Sequence, residues 1–136
     1  MKKVLLFLFL LPFVVCSCSS DEKDDKRIVE EHSYYVKYEV HASSYDGFKY
    51  WPYFDMTYSF TTEEGLKRIT TGLAKEHNWE AMYGPFKEGD IVMLGVSRAI
   101  SNQARIYVSR DWEPFVIRAA NAVENSSIML QYTIEH

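Results

Sequence analysis

Short runs in which every second residue is apolar recur from about His32 to His136, and they limit the fold more than any other feature of this chain. Val36, Tyr38 and Val40 alternate with Lys37, Glu39 and His41. Met56, Tyr58 and Phe60 alternate with Thr57, Ser59 and Thr61, and Val92, Leu94 and Val96 with Met93, Gly95 and Ser97. Ile106 and Val108 form a shorter run, Phe115 and Ile117 another. The last stretch is the most regular, with Ile128, Leu130, Tyr132 and Ile134 set against Met129, Gln131, Thr133 and Glu135. A period of two puts successive side chains on opposite faces, so each run predicts a strand with one buried face. Turn residues fall between them at Glu63-Glu64-Gly65, Lys87-Glu88-Gly89-Asp90 and Arg110-Asp111-Trp112. Many short strands with turns between them predict an all-β antiparallel sandwich or barrel.

One segment carries two signals. Thr61-Thr62-Glu63-Glu64 has the form of a capping box, and Leu66, Ile69 and Leu73 follow at helical spacing. Against a helix over Glu63 to Lys75 stand Gly65 and Gly72, each costing about 1 kcal/mol relative to Ala, and the β-branched run Ile69-Thr70-Thr71. The expectation is therefore a hairpin with a strand from Leu66 to Thr71.

The start of the chain is an address. Lys2 and Lys3 precede an apolar run from Val4 to Val15, interrupted by Pro12. As a helix this run would span about 18 Å, short of the roughly 30 Å hydrocarbon core, so it predicts a signal peptide over residues 1–17 and not a stable span. Its end, Val15-Cys16-Ser17-Cys18, resembles the lipobox of bacterial lipoproteins, with Val15 three residues before Cys18 and Ser17 directly before it. Cys16 would have the bulky Val15 directly before it. The resemblance implies acylation of Cys18, with Cys16 lost alongside the signal. Each buried methylene contributes about 0.8 kcal/mol, so two or three acyl chains hold a protein at a membrane essentially permanently.

Residues 18–31 then form a tether. Ser19-Ser20-Asp21-Glu22-Lys23-Asp24-Asp25 is polar and mostly acidic, and it resembles the export signal that carries Bacteroidetes lipoproteins to the outer face of the outer membrane. So charged a segment buries too little apolar surface to fold alone, and as a flexible chain it would hold the domain roughly 20 Å from the membrane. The domain itself spans residues 32–136. No cysteine lies in it, so no disulfide or thiolate framework is available.

The order YYVKYEV, MTYSFTTEEG, a strand at Trp79, FKEGDIVMLGV, ARIYVSRDWEP and a closing alternating strand resembles a family of small bacterial surface domains. Its members include the periplasmic domain of small mycobacterial membrane proteins that accompany lipid exporters, and short Bacteroidetes lipoproteins. The resemblance covers nearly the whole domain and implies an immunoglobulin-like sandwich of about seven strands. In that family the Gly-Asp pair, here Gly89-Asp90, opens a core strand, and the Arg110-Asp111-Trp112 position forms a hairpin tip. It has no common catalytic residues. The chain departs from the pattern in its longer Gly72-to-Asn78 link and in placing Trp112 at a turn position that is usually polar.

Composition and motifs narrow the function. A net charge of −4 argues against a nucleic-acid partner, because phosphate binding needs a basic face. The four histidines, His32, His41, His77 and His136, are far apart in the chain. Only His32 and His136 could approach, through neighbouring terminal strands. No serine sits in a Gly-x-Ser-x-Gly elbow, no Gly-rich phosphate loop is present, and the Glu30-Glu31 and Glu63-Glu64 pairs lie in the tether or a turn. The expectation is a protein without cofactor, metal or enzymatic activity.

The unusual feature is aromatic. Tyr45, Phe48, Tyr50, Trp51, Tyr53 and Phe54 fall within eleven residues, and Gly47 and Pro52 argue for a loop or irregular edge. Rings in a loop either fold back as a lid on the sandwich or are presented as stiff contact faces to a partner. Trp112, between Asp111 and Glu113, poses the same choice at a hairpin tip; Trp79 is expected to be buried. The expected function is a non-enzymatic, surface-anchored binding or accessory subunit for a protein partner or a glycan. The alternatives are a lipoprotein that protects its own cell from a toxin and, less favoured, a hydrolase.

Overall fold

The computed structural model describes residues 30–43, 55–72 and 74–136. It contains six strands: β1 Tyr34–Ser43, β2 Thr57–Thr62, β3 Gly65–Thr70, β4 Glu76–Phe86, β5 Ile91–Arg110 and β6 Val116–Thr133. Every pairing is antiparallel, and no helix occurs among the described residues. The order is β3-β2-β5-β1-β4, with β6 also paired to β5. The all-β expectation holds.

The strand count is six where about seven were expected, because two pairs of runs are continuous. The run at Val92–Val96 and the run at Ile106–Val108 are parts of the 20-residue β5, and those at Ile117 and Ile128 are parts of the 18-residue β6. Where the sequence reads as a break, the β5–β6 ladder shifts register between Val96 and Ala99 and bends without ending. A bulge of this kind adds unmatched residues and a local kink. Asn102, fully buried, secures the bend: its side-chain amide donates to the carbonyls of Ser97 (3.0 Å) and Ser126 (3.3 Å). Carbonyls beside a bulge can lack ladder partners, and this amide donates to two of them.

The bend divides the sheet into two lobes. The first half of β5 lies between β2 and the end of β6; the second half lies between β1 and the start of β6. Folding one lobe towards the other gives a half-barrel whose concave side is the core. Val36, Tyr38 and Val40 of β1, Tyr58 and Phe60 of β2, Val92 and Leu94 with Ile106 of β5, and Ile128 and Ile134 fill it. Aromatic contacts join the lobes: Phe60 lies 5.8 Å from Tyr38, 4.9 Å from Trp79 and 5.3 Å from Tyr83, and Tyr58 stacks on Trp79 at 4.9 Å. Ring pairs at these distances add to simple area burial. Trp79 is partly buried within β4, packed against the core.

The ambiguous segment is a hairpin. β2 and β3 pair from Thr57↔Thr70 to Thr62↔Gly65 around Glu63-Glu64. Thr62 Oγ1 accepts the Glu64 N–H and donates to the Gly65 carbonyl, so the capping-box residue closes a turn. Gly65, at φ 115°, takes a conformation that other residues rarely adopt. Leu66, which a helix would have turned inward, is 64% exposed on the edge strand.

Candidate functional site

Trp112 and the described residues that flank the aromatic segment are at opposite ends of β1. At one end is the β5–β6 tip. Asp111 and Trp112 have φ of 48° and 66°, and the Glu113 N–H donates to the Arg110 carbonyl at 2.8 Å. Positive φ at both central residues is the type I′ hairpin turn, whose second position normally takes glycine. A tryptophan there is strained by about 1 kcal/mol or more.

Two sets of contacts hold the tip. The Trp112 ring stacks on Tyr35 with centroids 3.7 Å apart and planes inclined by 26°. Asp111 Oδ1 accepts the Ser33 N–H at 2.9 Å, Oδ2 lies 2.6 Å from His32 Nδ1, and the Asp111 N–H donates to the Ser33 carbonyl at 2.8 Å. The Ser33 N–H, then the His32 ring, hold the Asp111 carboxyl below its ordinary pKa. Trp112 is thus both tucked and presented: one side rests on Tyr35, while the residue remains 62% exposed. Tyr35 and the clamping role of Asp111 were not evident from sequence, since their partners lie more than seventy positions away. Because residues 30–33 lead into this tip, the chain enters the domain here.

At the other end of β1, Ser43 pairs with Glu76 and Ser101. The chain returns at Asp55 and Met56, where the Met56 carbonyl accepts the Thr71 N–H and the Thr57 N–H donates to Ser97 Oγ. The described residues on either side of positions 44–54 therefore lie beside the bend of β5. Tyr45, Phe48, Tyr50, Trp51, Tyr53 and Phe54 lie outside the described residues, as does Cys18. At about 3.3 Å per residue, β1 separates the bend end from the Trp112 tip by about 30 Å.

The titratable groups are mostly paired. His32 and His136 do approach, with ring centroids 5.4 Å apart, but His32 is held by Asp111 and His136 lies 3.4 Å from Glu88. No group of three or more potential metal ligands occurs among the described residues. On the convex face Glu39 takes the Arg105 guanidinium at 2.5 Å and the Tyr107 hydroxyl at 3.2 Å, joining β1 to β5. Partial burial pushes the Glu39 carboxyl up, but these donors outweigh it and hold the group below its ordinary pKa. A carboxylate kept ionised in this way is a cross-strand staple.

No family model matches the chain, and no curated protein or solved structure matches it.

Proposed function

We propose that this protein is a non-enzymatic lipoprotein, acylated at Cys18 and held at the outer face of the outer membrane, that binds a protein or glycan partner through the aromatic segment from Tyr45 to Phe54. The observation that carries this reading is the polarity of the domain. Chain from the tether enters beside Ser33 and Asp111, and the aromatic segment departs at Ser43, at the far end of β1. A domain tethered at one end exposes the other, and Ser43, from which the aromatic segment follows, is about 30 Å from the attachment end. Tyr and Trp there would supply broad, stiff contact faces at low entropic cost.

The relation to immunoglobulin-like surface domains belongs to the same reading. Antiparallel pairing throughout, the Gly89-Asp90 turn directly before β5, and the hairpin tip at Arg110-Asp111-Trp112 support it. Accessory subunits of envelope complexes need anchoring and a contact surface, and no chemistry of their own.

The test is the double substitution Trp51→Ala/Tyr53→Ala in the acylated protein. If these rings are presented to a partner, stability should change by less than about 0.5 kcal/mol while material captured from membranes or medium is lost. A loss of about 3–5 kcal/mol would make them a structural lid, and unchanged capture would remove the segment from the binding role.

A further inference from the structure

The long strand β6 is an edge that the fold leaves unguarded. Its 18 residues pair with β5 on one side and with no other described strand. An open edge presents a row of unpaired N–H and C=O groups to any other strand, and charges, proline or short length normally blunt it. The other edges carry such devices. β3 has 6 residues and holds Lys67 and Arg68, and β4 holds Glu76, Glu80 and Pro85. Along β6 the charged residues are Arg118 and Glu124 alone.

Those two charges bracket a regular segment. At one end the β5–β6 register shifts, with Ile106 opposite Ala119 and Tyr107 opposite Ile117, so Arg118 lies in a bulge. At the other end Asn125, at φ 55°, leads into the bend. The midpoint of 118–124 is Asn121. Two copies laid antiparallel about it would pair Asn121 with itself, Ala120 with Ala122 and Ala119 with Val123. Ala119 and Val123 are half-buried against the core, so their pairing would carry the apolar layer across the axis. The same register sets Arg118 of each copy opposite Glu124 of the other. Both side chains are exposed, Arg118 touches the Tyr132 ring at 6.0 Å without using an N–H, and Glu124 has no ion pair among the described residues. Opposite charges directly across a ladder are favourable, and two-fold symmetry makes the pair twice.

We infer that a second copy of this chain occupies the edge, β6 against β6 about a two-fold axis at Asn121, joining two half-barrels through one continuous sheet. Seven paired residues a side is well below the roughly 20–30 of a standard interface, so a dissociation constant in the micromolar range or weaker is expected. Sedimentation of the full chain in detergent, from micromolar to near-millimolar concentration, should show a monomer–dimer equilibrium. Arg118→Glu or Glu124→Arg alone puts like charges across the axis twice and should weaken the dimer at least about tenfold. The two changes together exchange the charges and should restore affinity to within about threefold. Register is read by crosslinking in a full chain that carries Cys16→Ser and Cys18→Ser. Asn121→Cys should form a disulfide dimer on mild oxidation, because directly opposed Cα atoms of an antiparallel pair are about 4.5–5.5 Å apart, within disulfide range. Val123→Cys should not, since its two copies would be offset by about four positions along the ladder, roughly 13 Å. A chain that stays monomeric throughout, a charge exchange that fails to restore the dimer, or a crosslink through Val123→Cys and not through Asn121→Cys would each overturn the assignment.

Discussion

Gly84→Ala is expected to destabilise the domain by about 2–6 kcal/mol. Gly84 lies where β1 and β4 shift register between Tyr34 and Val36, at φ 140°. A methyl group built on it would stand 2.7 Å from the Tyr34 carbonyl oxygen, 3.0 Å from Tyr35 Cδ1 and 3.2 Å from Tyr35 Cα. Two of these three atoms are backbone, so little can move aside. The strained conformation costs about 1–3 kcal/mol for a residue with a Cβ, and overpacking adds about as much again. In a domain of this size each kcal/mol lowers the melting temperature by about 4–8 °C, so thermal denaturation should show a fall of about 10 °C or more. Gly72→Ala is the control, because a Cβ there meets nothing within 4 Å. Equal melting temperatures for the two variants would mean that the Gly84 bulge is not closely packed.

Phe60→Ala should cost about 3–5 kcal/mol. Phe60 is 1% exposed and contacts Tyr38, Trp79 and Tyr83, so it joins the β2 lobe to β1 and β4 of the opposing one. Truncation leaves a cavity between the lobes and removes the ring that contacts Tyr38, Trp79 and Tyr83 together. Chemical denaturation reads this directly. Leu66→Ala, on the exposed edge of β3, should change stability by less than about 0.5 kcal/mol. A Phe60 variant as stable as the Leu66 variant would contradict the two-lobed core.

These two residues mark the limits of what the sequence discloses. Phe60 was legible because alternation from Met56 onward assigns it to the buried face, and the structure agrees. Gly84 was not, because its reason is the Tyr34 backbone fifty positions earlier. The continuity of β5 was hidden for a related reason. From Ser97 to Gln103 the alternation lapses because the strand is bending, and a bend supported by a buried Asn102 looks, in one dimension, like a loop. The hairpin of β2 and β3 could be read because two glycines and a β-branched run outweighed three apolar residues at helical spacing. At the tip, the turn at Arg110-Asp111-Trp112 was evident from its residues, whereas the Tyr35 stack and the Ser33 clamp depend on the fold.

The central claim is that the tether and the partner occupy opposite ends of the domain. A photo-crosslinking benzoylphenylalanine placed at Trp51 in one variant and at Trp112 in another, in acylated protein on intact cells, tests it most directly. Trp51 should give a discrete crosslinked species with a protein or glycan-bearing partner, and Trp112, beside the tether entry, should give none with that partner. A partner crosslinked from Trp112 and not from Trp51 would contradict the account and move the binding surface to the hairpin tip.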